Sequence, residues 1–501
     1  RQLAQKLDER FRVLTGGNRT ALPRQQTLRA LIDWSHDLLS EPEQLLFRRL
    51  AIFVGGWTLE AAEAVCTDET IDALDAADLL SSLVEKSLVV AEIERFTRYA
   101  FLESMRAFSL EKLEQSGERE AVARRHAQWV AELGDRADEG RWTTSPSQHR
   151  AEFDPELENA RSALDWALSQ DEVVLAARIV VGFWGSYQRR VGQAEVRSRL
   201  EAVLERLDAD AQPSLAARAW RALSVLVVGP HAVETARHAL ELGERCNDPA
   251  ITAASLEQMG YALLLAGSAQ EAQSAIDRAL RLSKEHGLTR SFLYVDVLRD
   301  AAAVASECGC LEDARQLYDE ALALAIALGD ESRATKISLG MAEFEFQTGN
   351  PARALELVSA TETEAHESLE NQNVTLAATA LGNSAAYRIA LGDTAGARNA
   401  ARDAIRIARG RYALETTISM QHLATVETLN GDSHRAGRIR GYVDAWFRNE
   451  GYVREPTERR TYEILMNALH EKLSDAQIEA LAAEGAQLSE EQAVAEALAV
   501  Q

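Results

Sequence analysis

Residues 392–407, GDTAGARNAARDAIRI, decide the fold because their pattern recurs elsewhere in the chain. Residues 267–282, GSAQEAQSAIDRALRL, and residues 309–324, GCLEDARQLYDEALAL, repeat the same spacing of glycine, alanine and bulkier apolar residues. In each copy the apolar residues that follow the glycine fall at i, i+3, i+4, i+7 and i+8, which is one stripe of an amphipathic helix. A glycine before such a helix supplies the positive φ that ends the preceding helix. The pattern therefore predicts a hairpin of two helices joined by a glycine turn.

The hairpin recurs at a regular period. Glycines with this context are separated by 37 to 43 residues, and an alanine lies five residues after each of the last five of them. A period of this size is typical of stacked repeats, in which each hairpin buries its apolar face only against its neighbours. The first two copies and the last match the pattern less well, as is common at the ends of an array. The glycines are Gly192, Gly229, Gly267, Gly309, Gly349, Gly392 and Gly431.

The repeat resembles the tetratricopeptide repeat, in a version of about 40 residues rather than 34. We therefore predict a mainly α fold. A helical connector with the first hairpins spans 117–190, an α-α superhelix of tetratricopeptide-like hairpins spans 191–450, and capping helices span 451–501.

Residues 19–116 do not follow the period. The sequence from Arg19 to Cys66 predicts three helices, one of them beginning near Pro42 after the capping residue Ser40. A further helix is predicted over 75–86, followed by two short strands around a polar turn at 94–97. Helices followed by a two-stranded hairpin give the order of a winged-helix domain, so we predict that fold for this segment.

The helix that would enter a DNA groove is poorly suited to it. Its charged residues are Asp75, Asp78, Glu85 and Lys86, so it is net negative and has no arginine. Base edges and phosphates are recognised by donating, mostly positive side chains. The sequence thus favours a structural winged helix over a DNA reader, although direct DNA binding stays open as a lesser hypothesis.

The composition narrows the classes of protein to which the chain can belong. The chain has 501 residues, a net charge of −24 and six lysines, which argues against a surface that binds nucleic acid along its length. It has no apolar run long enough to span a membrane. Its four cysteines are too few for a disulfide framework. We therefore expect a cytoplasmic protein without membrane or direct nucleic-acid contact.

No constellation of catalytic or metal-binding residues stands out. Cys308 and Cys310 suggest a redox or metal site, but they have no second pair, so structural thiols are favoured over chemistry, as for Cys66 and Cys246. His231 and His238 lie seven residues apart and are expected at the surface. We predict no catalytic, cofactor-binding or metal-binding residue and leave the ligand-binding residues unknown.

Two tryptophans are the aromatic candidates. Trp142 lies in a polar loop and Trp446 near the end of the array. Either could stack on a ligand, but packing anchors are favoured. The groove of the repeats is the obvious binding surface, and the acidic composition would favour a basic or polar ligand there.

The front segment contains the sequence TALPRQQTLRALIDWSHDLLSEPEQLLFRRLAIFVGGWTLEAAEAV. This sequence resembles the stretch that follows the nucleotide-binding core in bacterial signal-transduction ATPases with numerous domains (STAND). The resemblance is strongest to the predicted ATPases of AfsR-like transcriptional regulators. Residues 156–168 and 183–204 resemble the start of the repeat arm in that family, and residues 479–499 resemble its closing tail. The resemblance implies that 1–18 are the tail of an ATPase module that precedes Arg1.

That resemblance implies cofactors only for the preceding core. The chain has no GxxxxGK[ST] loop, since no lysine follows a glycine, so ATP or ADP and magnesium are expected upstream. Related switches carry a His-Asp pair after the last wing strand that touches ADP. Leu102 and Glu103 stand there in this chain, which puts nucleotide contact in doubt. Arg106 is a weak nucleotide candidate, and a salt bridge is the favoured interpretation.

These observations predict a non-catalytic sensor and regulatory arm. It would bind a protein or small-molecule signal in the groove and control transcription through the attached ATPase and output domains. The alternative is a free-standing tetratricopeptide scaffold that gathers proteins. An enzyme that uses the groove as an active site is a further class, but no residue pattern predicts it.

Overall fold

The computed structural model describes residues 23–93, 97–227, 230–367 and 374–499, which form two compact units. The first contains the described residues up to Gly134 together with Phe153–Ile179, and the second contains Asp135–Glu152 and the described residues from Val180 onward. The predicted boundaries at 18, 116, 190 and 450 stay predictions.

The front segment has the predicted order of helices followed by a two-stranded hairpin. Strands β1 and β2 pair antiparallel, with Val90 opposite Ala100. The predicted turn residues 94–96 lie outside the described part of the chain. The helices and strands are α1 Pro23–Asp37, α2 Glu41–Leu50, α3 Leu59–Cys66, α4 Ala73–Glu85, β1 Val90–Ile93, β2 Thr97–Ala100, α5 Glu103–Ser116 and α6 Arg119–Glu139.

Local capping explains where α2 begins. The Ser40 side chain and Glu43 form a reciprocal capping box, and Pro42 lies in the first turn, where its missing N–H costs nothing. Behind this helix lies an aromatic core in which Phe53 and Trp57 stack with ring centroids 5.6 Å apart. Burying rings of this size dominates the stability of a small core.

Further helices lead into the repeats. Pro213 opens one of them at its first turn, as expected from its fixed φ. They are α7 Pro146–Phe153, α8 Leu157–Ser169, α9 Val173–Arg190, α10 Gln193–Leu204, α11 Pro213–Ser224 and α12 Pro230–Arg245.

Five hairpins follow, as the period predicts. Gly392 has φ +80° between two helices, and Asp393 after it accepts a hydrogen bond from the Gly396 amide, 2.9 Å away. The other glycines that mark the period, at 192, 267, 309, 349 and 431, also have positive φ, whereas Gly229 lies outside the described residues. The ten helices of the hairpins are α13 Pro249–Leu265, α14 Ala269–Glu285, α15 Phe292–Glu307, α16 Leu311–Ala327, α17 Glu331–Gln347, α18 Pro351–Glu367, α19 Val374–Ala390, α20 Thr394–Ala408, α21 Ala413–Asn430 and α22 Ser433–Glu450.

The predicted stripes form the core of this array. In α20 all five stripe positions of the opening motif are buried, and the alanine five residues after the glycine is buried in every one of the last five copies. Small side chains at these positions let neighbouring helices approach closely, while larger residues such as Phe346 and Tyr387 fill the space between hairpins with ring centroids 4.9 Å apart. The mainly α fold built from stacked hairpins is therefore confirmed.

The described part of the chain ends with three helices: α23 Pro456–His470, α24 Asp475–Gly485 and α25 Glu490–Leu498. Helix α24 crosses α22 where both helices have glycines. A side chain at Gly441 would overlap the Ala482 carbonyl, and one at Gly485 would overlap the Arg438 carbonyl. The crossing is thus closer than any larger residue would permit.

Candidate ligand-binding face of the repeats

The first helices of the hairpins, α13, α15, α17, α19 and α21, form a continuous layer. Each packs directly against the first helix of the next hairpin, whereas contacts between successive second helices are sparser. The first helices therefore line the inner side of the array, as expected for stacked helical hairpins. We call their polar surface the inner face. Its charged residues include Glu257, Asp296, Arg299, Asp300, Arg333, Lys336 and Glu343.

Acids and bases alternate from helix to helix across this face. Arg299 on α15 lies 2.7 Å from Asp300 on the same helix and 3.8 Å from Glu257 on α13. Both carboxyl groups are buried, and Asp300 Oδ2 has no hydrogen-bond partner among the described residues. Burial, followed by the nearby charge of Asp300, raises the pKa of Glu257 well above its ordinary value. This part of the face is therefore poised to take up or release a proton when its surroundings change.

The alternation continues onto α17. Arg333 contacts Asp296 with both ends of its guanidinium, at 2.8 and 3.1 Å, and lies 2.6 Å from Asp330. Burial would raise the pKa of Asp296, but Arg333 and Arg299 outweigh it and lower the pKa to about 2. Bidentate pairs of this kind hold adjacent helices in register.

Lys336 is one turn further along α17. Its side chain reaches solvent, yet desolvation within the inner face, followed by the positive charge of Arg299, lowers its pKa. It is thus an accessible donor with a lowered pKa beside the alternating pairs.

The far part of the inner face is covered by the chain itself. Helix α23 packs against α17, α19 and α21. Gln421 on α21 donates to the Glu458 backbone carbonyl at 2.8 Å, and Arg460 donates to the Phe346 carbonyl at 3.1 Å with its guanidinium 4.7 Å from the Phe346 ring centroid. Helix α23 therefore occupies the surface that a ligand would use in the last three hairpins.

Acidic side chains gather where α23 meets the inner face. Glu458 is 4% exposed, and its Oε2 atom has no hydrogen-bond partner in the part of the chain that the structure describes. Burial, followed by the nearby charge of Glu343, raises the pKa of Glu458 to about 8. The pKa of Glu455 is also raised, first by burial and then by Glu343. The contact between α23 and the inner face therefore favours the protonated form of these carboxyl groups.

Both candidate tryptophans pack against protein. Trp142 lies against the hydrophobic cluster around Leu240 and Leu293, with the Arg221 guanidinium 5.2 Å from its ring centroid. Trp446 packs on the cluster of the last hairpin, 5.7 Å from the Phe447 ring. Their interpretation as anchors agrees with these contacts.

The other candidates lie apart from one another. Cys308 and Cys310 are exposed at a hairpin turn, and Cys66 is buried, where burial raises the pKa of its thiol to about 12. His231 and His238 are exposed, as predicted for surface residues. The described residues contain no group of three His, Cys, Asp or Glu side chains placed to hold a metal ion.

In the first unit, one expectation is corrected. Leu102 is the residue before α5 and is exposed, and Glu103 lies in the first turn of that helix. Within the described residues Arg106 forms no salt bridge, contrary to expectation. It donates instead to the Phe53 carbonyl at 2.7 Å, because α5 places its guanidinium over a chain segment that offers backbone oxygens rather than carboxylates. Burial lowers the pKa of Arg106.

Sequence reasoning did not find the residues of α23 or the pairs across the inner face. A signal existed for α23: Thr457, Glu458 and Thr461 are polar, yet they fall on the same side of a helix as buried apolar residues. For the acid–base pairs across the inner face, the sequence shows the charged residues but not which helices bring these residues together.

Among the described residues, no helix is both long enough and apolar enough to cross a membrane. The fold defines a helical-repeat protein with one continuous inner face. No family model matches the chain.

Mycobacterial proteins match the sequence of this chain. The chain is 32% identical over 376 residues to the "Putative HTH-type transcriptional regulator Rv0890c" of Mycobacterium tuberculosis, and equally to its counterpart Mb0914c of Mycobacterium bovis. The match covers 71% of this chain but 41% of those proteins, so the chain spans less than half of their length. A second protein of Mycobacterium tuberculosis, Rv0894, is 43% identical over 122 residues, 24% of this chain and 31% of that protein.

Solved structures give weaker matches. A signal transduction ATPase with numerous domains from Pyrococcus horikoshii, which has a tetratricopeptide repeat sensor, aligns over 91% of this chain and 64% of its own, with 13% identity and a TM-score of 0.47. NprR in complex with its cognate peptide NprX aligns over 62% and 89%, with 12% identity and a TM-score of 0.41. The assignment to the helical-repeat class rests on the hairpins themselves rather than on these scores.

Proposed function

We propose that this chain is the non-catalytic sensing and regulatory arm of an ATP-dependent transcriptional switch that acts in the cytoplasm. The front segment would be a winged-helix domain of the STAND type, of the AfsR-like branch. The repeats would bind a protein or small-molecule signal. ATP or ADP and magnesium would belong to an ATPase core in the same protein, upstream of this chain.

The similarity to transcriptional regulators over 71% of the chain supports the regulatory part of this proposal. The observation that carries the sensing part is the continuous inner face, on which buried charges meet across three successive first helices. Burying charged groups is costly unless each is paired, so such a face changes its energy strongly when a ligand adds or removes one partner. Ion pairs scattered over a solvated outer surface would change the energy of the protein far less when a ligand binds.

Helix α23 divides this face into a covered and an open part. Over the last three hairpins the inner face is filled by the chain, so we place the signal against α13, α15 and the start of α17. There Lys336 is the accessible donor, and Glu257, whose pKa is raised, is the titratable group.

The experiment uses the native full-length gene in its own cells. Lys336→Gln removes a charge from the inner face, and Lys284→Gln removes the same charge from an exposed position on the second helix α14. We expect a strain without the gene to show a defined set of changed transcripts. The Lys284 variant should restore them and the Lys336 variant should restore them only in part.

Two results would count against the proposal. Unchanged transcripts in the strain without the gene would remove the regulatory role and favour a scaffold, especially if stable partners co-purify with the native protein. Full restoration by both lysine variants would remove the inner face from the sensing role.

A further inference from the structure

The start of α23 lies across the inner face where its open part meets its covered part. Arg459 pairs with Glu307 at the end of α15, at 3.0 Å, and Arg460 donates to the Phe346 carbonyl near the end of α17. The first turn of α23 therefore spans the ends of both helices. We call the space between this turn and the facing sides of α13, α15 and α17 the acidic cleft.

One end of the acidic cleft is formed by Glu257 on α13 and Asp300 on α15. Both side chains are buried, and Asp300 Oδ2 has no hydrogen-bond partner among the described residues. Arg299 lies 2.7 Å from Asp300 and 3.8 Å from Glu257. The same guanidinium lies 3.3 Å from Asp296, so one cation is shared among three carboxyl groups. This sharing leaves a buried carboxylate oxygen without a donor, which is costly unless a ligand or water supplies one.

The other end is formed by Glu343 on α17 and by Glu455 and Glu458 at the start of α23. Glu458 is buried, and its Oε2 atom has no hydrogen-bond partner in the part of the chain that the structure describes. Among the charges near Glu458, that of Glu343 raises its pKa most, after burial itself. Burial also raises the pKa of Glu343. This end thus has a second buried oxygen that lacks a donor.

Nearby arginines do not supply that donor. Arg459 and Arg454 are the two whose charges act on Glu343 and Glu458. Within the described residues, these arginines form their salt bridges elsewhere, Arg459 with Glu307 and Arg454 with Asp444. The carboxyl groups of this end therefore retain protons instead of cationic partners.

Tyr261 links the two ends. It follows Glu257 by four residues, so the two side chains lie on the same face of α13. Burial raises the pKa of Tyr261, and the charges of Glu455 at one end and Asp300 at the other raise it further. Tyr261, Glu343 and Glu455 each keep partial exposure to solvent. The cleft is thus a solvent-reached space with an aromatic ring between two acidic ends.

We propose that the acidic cleft binds an aliphatic diamine, with one ammonium group at each end. An ammonium group has three N–H donors and no acceptor, so it complements the unpartnered oxygens of Asp300 and Glu458. An aromatic ring such as that of Tyr261 also attracts a nearby cation. The described residues contain no group of three acidic side chains placed to hold a metal ion, so the spacing suits an extended cation. The inference rests on the proposed function, since it names the class of signal that the inner face would take.

Binding would exchange protons for the ligand. An ammonium group beside a carboxyl group favours the charged form of that carboxyl group. The diamine would therefore displace the protons that raised pKa values hold on Glu257, Glu455 and Glu458. The cations Arg299 and Arg454 already favour the same charged forms and stay paired. Affinity should consequently fall as the pH is lowered.

The test is isothermal titration calorimetry on the full chain with putrescine, butylamine and butanediol as probes. We expect one saturable site for putrescine, at least tenfold tighter than for butylamine, weakened by salt and by lowering the pH. Butanediol, which has no charge, should not bind. These comparisons use the unaltered chain and so do not depend on the folding of a variant.

Two variants test the two ends. Glu257→Gln and Glu343→Gln each remove one carboxyl group and keep the side-chain shape, so each should weaken putrescine binding at least tenfold. Glu271→Gln, at an exposed position on the second helix α14, is the matched control and should leave binding unchanged. Circular dichroism melting checks that each variant is folded.

Three results would overturn the proposal: no saturable site for putrescine, equal affinity for butanediol, or full affinity in either of the two inner-face variants. Equal affinity for butylamine and putrescine would overturn the assignment to a diamine. Tighter binding at lower pH would contradict the exchange of protons for the ligand.

The failure of this inference is distinguishable from that of the proposed function. A chain that binds putrescine while its Glu343→Gln variant restores transcripts fully retains the acidic cleft as a site and loses the sensing role. A chain that binds none of the probes loses the diamine site, whatever the transcripts show.

Discussion

Replacing Glu458 by Gln should make the seating of α23 on the inner face less dependent on pH. Glu458 is a buried carboxyl group whose pKa is about 8 in the folded chain, against an ordinary value of 4.5. A raised pKa means that the folded state keeps a proton that the undocked helix releases. The stabilisation is therefore fully present below about pH 4.5, falls as pH rises, and is lost above about pH 8.

The size of the effect follows from that interval. Each pH unit within it costs up to about 1.4 kcal/mol per proton, which sets a ceiling of roughly 5 kcal/mol across the whole window. Between about pH 5.5 and 7.5, release of this one proton should weaken the docking of α23 by about 3 kcal/mol, or roughly 100-fold in its equilibrium constant. Glutamine has the shape of the protonated carboxyl group and does not titrate. In the variant, the free energy of α23 opening should therefore depend less on pH, by the contribution of one proton.

Hydrogen exchange of the amides in α23, corrected for the intrinsic pH dependence of exchange, measures this local opening. We expect protection of α23 in the unaltered chain to fall steeply over that range and protection in the Glu458→Gln variant to fall less. Glu463→Gln, an exposed position on the same helix, is the matched control and should follow the unaltered chain. An identical slope in the Glu458 variant and the unaltered chain would refute the reasoning.

Three further changes test the packing. Gly441→Ala forces a methyl group into the Ala482 carbonyl and should cost roughly 1–3 kcal/mol, seen as lost exchange protection in α24. Gly392→Ala has open space but φ +80°, so thermal unfolding should show a smaller loss of roughly 1–2 kcal/mol. Phe346→Ala opens a cavity beside Tyr387 and should cost about 3–5 kcal/mol by exchange in α17 and α19; retained protection would contradict the packing.

The hairpins could be predicted from the sequence because their determinants are local. A glycine, an alanine five residues later and an apolar stripe lie within 16 residues, and the same short pattern recurs. The front helices and strands could be predicted for the same reason. Ser40 and Pro42 mark the start of one helix, and the β-branched and aromatic residues around 90–100 mark the strands.

The candidate sites could not be predicted because they depend on contacts between distant segments. Asp296 and Arg333 pair across the inner face although 37 residues separate them, and α23 meets helices that precede it by up to about 125 residues along the chain. Arg106 illustrates the same limit: its charge suggested an acidic partner, but the partner is the Phe53 carbonyl. Periodicity shows which side of a helix is buried, not what lies opposite it.

The most direct test of the central claim is a complete substitution scan of the exposed positions of 249–450 in the native gene, read out by the transcripts that its deletion changes. If the repeats sense a signal on the open part of their inner face, loss of regulation will concentrate at exposed polar positions of α13, α15 and the start of α17. Exposed positions of the second helices will tolerate substitution. Sensitivity spread evenly over both sets of helices, or concentrated on the second helices, would contradict the account.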